Sequence, residues 1–191
     1  MNDFNQSVLD QNLYTPVKTS PIPIAIRYGL LIGGAQAILM LLMHLAGMNP
    51  AKGGAVQWVN TLLQLAIGIG GYVLLMRERR DKELGGYLSL GQGIGVGTLT
   101  GVFTAIISVT FFVIFVNYIN PNFISEIMEV TEAKWEEQGM KEEQMEQARK
   151  MMGYFMNIPF MATTAFFSSI IGGAFYGLVI GAIMRRQPPI M

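Results

Sequence analysis

Four stretches of the chain run for about twenty residues or more almost without charge: Ile24 to Gly47, Trp58 to Met76, Gly93 to Ile119 and Phe160 to Met184. A helix needs roughly 20 mainly apolar residues to cross a hydrocarbon core, so each stretch predicts a transmembrane helix. None shows the polar stripe that a soluble amphipathic helix carries. Arg27, at the edge of the first, is the only ionised side chain inside them.

Between the third and fourth stretches the pattern changes. Phe123, Ile124, Ile127, Met128, Thr131 and Trp135 recur at helical spacing, Gly139 interrupts them, and Met140, Met145, Ala148, Met151, Met152 and Phe155 resume the period. This predicts a helical hairpin over residues 120–159, with Asn120-Pro121 as N-cap and first-turn pair. The fold class that follows is an all-α integral membrane protein. It has four transmembrane helices, 24–47, 58–76, 93–119 and 160–184, with an extracytoplasmic helical hairpin between the third and fourth. A tail, 1–23, precedes the membrane domain 24–186, and a second tail, 187–191, follows it. Residues 1–23 lack the basic start of a secretory signal, and the first apolar run is too long for one, so it reads as an uncleaved span.

Charge sets the orientation. The loop "RERRDKELGG", Arg77 to Gly86, places seven charged side chains between two apolar runs. Lys and Arg beside a membrane helix are retained in the cytoplasm. Lys18, Arg27, Arg77, Arg79, Arg80, Lys82, Arg185 and Arg186 fall on one face, against Lys52, Lys134, Lys141, Arg149 and Lys150 on the other. The expected topology is multi-pass in the bacterial inner membrane, with both termini cytoplasmic. Tyr28 and Tyr87 on one side, and Trp58, Tyr118 and Tyr154 on the other, suit interfacial aromatics.

Helices in lipid associate by close backbone approach, which calls for small residues four apart. The third span has Gly93, Gly97, Gly101 and Ala105; the fourth has Ser169, Gly173, Gly177 and Gly181; the first has Gly29, Gly33 and Ala37. These are candidate packing faces, or the lining of a narrow passage. Leu99 and Phe112 should tolerate substitution if they face lipid. The two halves share Asn-Pro after spans one and three and Met-Arg after spans two and four, which would make two parallel hairpins of a repeat.

Composition narrows the chemistry. Thirteen basic and thirteen acidic residues leave no excess for a nucleic-acid partner. There is no cysteine, so no disulfide, thiolate nucleophile or thiolate-ligated metal. The single histidine, His44, lacks partners at ligand spacing. The methionines between Met128 and Met161 fit the filling of a short hairpin better than a soft-metal site. Asp81 and Glu83 balance the neighbouring arginines. Gln36, Asn60, Gln64, Thr98, Thr104 and Ser108 are polar groups able to bond across helices, and no carboxylate lies within a span for proton coupling. No catalytic residue, cofactor or metal is expected.

At "RDKELGGYLSLGQG", Arg80 to Gly93, and "EEQGMKEEQMEQA", Glu136 to Ala148, the sequence resembles the domain of unknown function 4199 family, small bacterial membrane proteins found mainly in the Bacteroidota. The resemblance covers about residues 24 to 186 and implies an inner-membrane protein of several spans. It supplies no activity or catalytic residue. The family usually carries serine where this chain has Lys141, which bears on how the second hairpin helix is capped. The expected function is a non-enzymatic accessory or scaffold component of the cell envelope, in contact with the lipid bilayer and with a membrane-protein partner or further copies of itself. A small oligomeric transporter or channel is the alternative.

Overall fold

The computed structural model describes residues 19–49 and 53–186. Lys18, Pro50, Lys52 and the tails 1–18 and 187–191 lie outside the described residues. Among the described residues six α-helices follow one another: α1 Ile22–Leu45, α2 Gly54–Glu78, α3 Leu90–Ile114, α4 Phe123–Glu137, α5 Glu142–Phe155 and α6 Ile158–Met184. Two π-helical turns, Arg79–Glu83 and Phe115–Ile119, extend α2 and α3. With those extensions α1, α2, α3 and α6 are long and apolar enough to cross a membrane.

Local chemistry sets the helix ends. Ser89 caps α3 in a reciprocal box with Gln92, and Asn157 accepts from the Phe160 N–H at the start of α6. Pro23 and Pro159 occupy first turns, where a missing N–H costs no bond. Gly47 and Gly139 adopt positive φ and close α1 and α4: Met48 N–H donates to Met43 O, and Met140 N–H to Trp135 O. Lys141, at the start of α5, has no side-chain acceptor. Only the returning half of a box remains there, with Lys141 N–H donating to Gln144 Oε1.

The expected N-cap of the first loop helix is displaced. Asn122, not Asn120, precedes α4, because the π-helical turn carries the chain one residue further round and Asn120 N–H donates to Phe115 O. That turns Asn120 inward, where it is buried.

α3 is the centre of the bundle. Its glycine face meets α6 backbone to backbone: a Cβ on Gly93 would lie 3.1 Å from Gly177 O, and one on Gly101 2.7 Å from Ser169 O. Ala105 is fully buried. Ser169 Oγ donates to Gly101 O at 3.1 Å. On the other side of α3, Gly29 and Gly33 of α1 seat against Phe103, Thr104 and Ile107. α2 joins through glycines three apart, Gly68 against Tyr176 and Gly71 against Ile32, a spacing outside the four-residue pattern. The α3/α6 contact is thus made by backbone and the α1/α2 contact by side chains, so the two halves are not packed alike.

The core cluster sits in the half of the bundle nearest residues 84–89: Ile24, Ile32, Tyr72, Leu75, Met76 and Val96 all belong to it. Leu99 packs against this cluster and Phe112 against Phe123, so neither is a lipid-facing position. Tyr28 is buried rather than interfacial, and donates its hydroxyl to Glu78 at 2.7 Å. Trp58, Tyr118 and Tyr154, at the opposite end, are 70%, 82% and 78% exposed.

Candidate functional site

Two ends of the bundle carry polar structure, and they are built differently. At the 84–89 end the carboxylates Glu78, Asp81 and Glu83 are all paired internally. Arg79 is 5% exposed, pairs with Glu83, and donates to Thr19 O at 2.7 Å and Thr19 Oγ1 at 3.0 Å, tying the entry of α1 to the exit of α2. Glu78 collects Arg27 at 2.8 Å and Lys82 at 3.1 Å. Arg80 pairs with Asp81 at 2.6 Å, and Arg77 lies 3.9 Å from the same carboxylate. Arg185 and Arg186 end α6 beside this loop, Arg186 exchanging backbone hydrogen bonds with Leu88. Every basic residue read as an orientation signal and lying within the described residues is therefore at this end, but Arg79 also serves as an internal clamp.

At the α4 end the helices part. The small-residue faces stop at Ala37 on α1, Ala105 on α3 and Ser169 on α6, and bulky Phe111, Phe112 and Phe115 take over on α3. Glycines admit close approach and phenylalanines prevent it, so a cleft of about 930 Å³ opens between α1, α2 and α3. Its walls are mostly apolar, among them Met40, Met43, Phe111 and Phe115. α4 roofs it with Phe123, Ile127 and Val130, and Phe123 stands edge-on to Phe115 at 5.6 Å. Ala165 of α6 closes one side.

Polar groups occupy the two extremes of the cleft. At the inner end are Gln36, Asn60, Gln64 and Ser108. Ser108 Oγ donates to Gln36 Oε1 at 3.2 Å, the one side-chain bond across helices that this set makes. Thr98 bonds back to Ile94 O in its own helix, and the buried Thr104 hydroxyl has no partner. At the rim, Glu126 accepts from both Asn120, at 3.3 Å to each oxygen, and Asn49, at 3.4 Å. Glu129 lies one helical turn further along α4. His44 lines the cleft with its ring edge-on to Phe115 at 5.2 Å. Among the described residues no group of three or more His, Asp or Glu is placed to hold a metal ion.

Beyond the roof, α5 is tied to α4 by Arg149, whose guanidinium meets both oxygens of Glu132 at 2.7 and 3.1 Å. That bond holds the Glu132 carboxyl below the usual range. Pattern reading missed the cleft because its residues come from five helices. The signal was nonetheless present in the switch from glycine to phenylalanine along α3.

No curated protein and no solved structure matches the chain. The model of the family described as Protein of unknown function (DUF4199) matches residues 27–186, from the first turns of α1 to the end of α6, and the chain belongs to that family.

Proposed function

We propose that the protein is a non-enzymatic membrane component that holds one small amphipathic molecule in the cleft beneath α4, on the extracytoplasmic side of an inner membrane whose cytoplasmic face meets the 84–89 end. The observation that carries this reading is the blind cleft: apolar walls, polar ends, and a glycine-packed half closing it below. Its volume is at the upper end of the roughly 300–1,000 Å³ typical of small-molecule sites. The side chains present favour holding over reacting. Ser108 is bonded to an amide, His44 faces a phenyl ring, and Glu126 is held by two neutral amides, which leaves no nucleophile paired with a base. A bound amphipath would make the protein an accessory or sensing component of the envelope. The test is titration of the protein in lipid nanodiscs with a long-chain alkanol. One saturable site per chain supports the reading; alkanol partitioning indistinguishable from that of empty nanodiscs overturns it.

One observation favours a second reading, a small transporter. Gln64 lies ten residues into α2, about 15 Å at ~1.5 Å per residue, which is near the midplane of a ~30 Å core, where transporters place substrate. The cleft would then be the vestibule of one access state. Saturable solute uptake by reconstituted liposomes would favour this reading over a holding site.

A further inference from the structure

The two polar ends of the cleft differ in a way that specifies what it would hold. Asn60 and Gln64 make no side-chain hydrogen bond within the described residues, although both line the cleft on a helix long and apolar enough to cross a membrane. Both amides are half-buried and open to the cleft, so they are free to bond a polar atom supplied from outside the protein, the more so where water is scarce. At the rim the requirement is one of charge. Among the described residues Glu126 is held only by the neutral amides of Asn49 and Asn120, and neither it nor Glu129 has a Lys or Arg within ion-pair distance. Among the described residues no Lys or Arg lines the cleft. Lys134, the nearest base along α4, lies beside Gly53 instead. Between these ends the wall is Met40, Met43, Phe111 and Phe115, and the stretch of α1 from Gln36 to His44 spans about 12 Å at ~1.5 Å per residue.

Resting on the binding reading above, we infer that the occupant is an amphipath with an ammonium head at Glu126 and Glu129, an apolar body of about 12 Å, and a neutral hydrogen-bonding group at Asn60 and Gln64. An ammonium brings three donors and a charge to a site that holds acceptors and, among the described residues, no competing cation. The carboxylate would be only partly solvated beneath α4, where a charge-assisted bond is stronger than its exposed counterpart. A carboxylate or phosphate head would meet two glutamates of its own sign, so the same arrangement that selects the amine excludes an anion.

Three probes of one chain length, a primary alkylammonium, an alkanol and an alkanoate, separate this inference from the reading beneath it. Binding to the full chain in neutral-lipid nanodiscs should rank ammonium tightest, alkanol about tenfold weaker and alkanoate weakest. Glu126→Gln keeps an acceptor for Asn120 and Asn49, so the fold is retained. It should cost the ammonium about tenfold and leave the alkanol unchanged. Equal binding of all three probes, or an ammonium affinity unmoved by Glu126→Gln, overturns the charge inference while leaving the holding site standing. Failure of even the alkanol to bind overturns both. Asn60→Leu with Gln64→Leu supplies an independent arm. It should weaken a chain carrying a terminal hydroxyl at its far end and not a plain one, and equal losses for both would contradict a polar contact at the inner end.

Discussion

Gly97 and Gly173 face each other so closely that a Cβ on either would lie 2.5 Å from the other's carbonyl oxygen. The relationship is reciprocal and involves backbone on both sides, which no rotamer change relieves. Packing between helices in lipid has no hydrophobic drive to offset a lost contact. Gly97→Ile or Gly173→Ile should therefore cost about 3 kcal/mol, seen as a lower melting temperature in detergent. Gly95→Ala and Gly172→Ala, at positions where an added Cβ meets nothing within 4 Å, should stay within about 1 kcal/mol of the parent. Similar melts for both pairs would show that the α3/α6 contact is not held by its glycines.

Arg79 and Arg77 are two residues apart and face opposite fates. Replacing Arg79 by Gln leaves Glu83 without its cation in a largely buried site and releases the Thr19 carbonyl, with an expected loss of about 3 kcal/mol. Arg77→Gln touches an exposed, distant pair and should be nearly silent in a thermal melt. Faster amide exchange at the start of α1 in the Arg79 variant alone would identify the clamp.

The tie between α4 and α5 depends on pH in a direction fixed by Glu132. Its folded pKa is depressed by the hydrogen bond from Arg149, so the tie contributes fully above the unfolded value of about 4.3 and is lost as pH falls through the lower folded value. Amide exchange in α5 should rise as pH drops below about 4 relative to α3, and Glu132→Gln should remove that difference. The effect is small because the pair is partly exposed.

Orientation is testable by fusion. A reporter active only outside the cytoplasm should work at Gly139 and fail at Gly86 or after Arg186. Replacing Arg77, Arg80 and Lys82 with glutamine should weaken the bias without the loss of stability that Arg79 adds.

The spans and the two loop helices were legible because each is local: unbroken apolar runs, and a period of 3.6 broken at Gly139. The four-spaced glycines of α3 and α6 were visible for the same reason. Gly68 and Gly71 were not, because three-residue spacing becomes a contact only once Tyr176 and Ile32 stand opposite. Asn-Pro so often starts a helix that Asn120 reads as a cap, whereas the π-helical turn at Phe115–Ile119 rotates it toward Glu126. The cleft itself was illegible, since Gln36, Gln64, Ser108 and Glu126 meet only in three dimensions.

Native mass spectrometry of the protein released from gentle detergent tests most directly whether the cleft is an occupied site. Ala37 ends the small-residue face of α1 in the cleft wall, and none of the close glycine contacts is made with it, so Ala37→Phe is the substitution that fills the space. The wild-type chain should carry one small-molecule adduct per copy, and the Ala37→Phe variant, melting at a similar temperature, should carry none. An unliganded wild-type chain, or an adduct retained in the filled variant, would contradict the account.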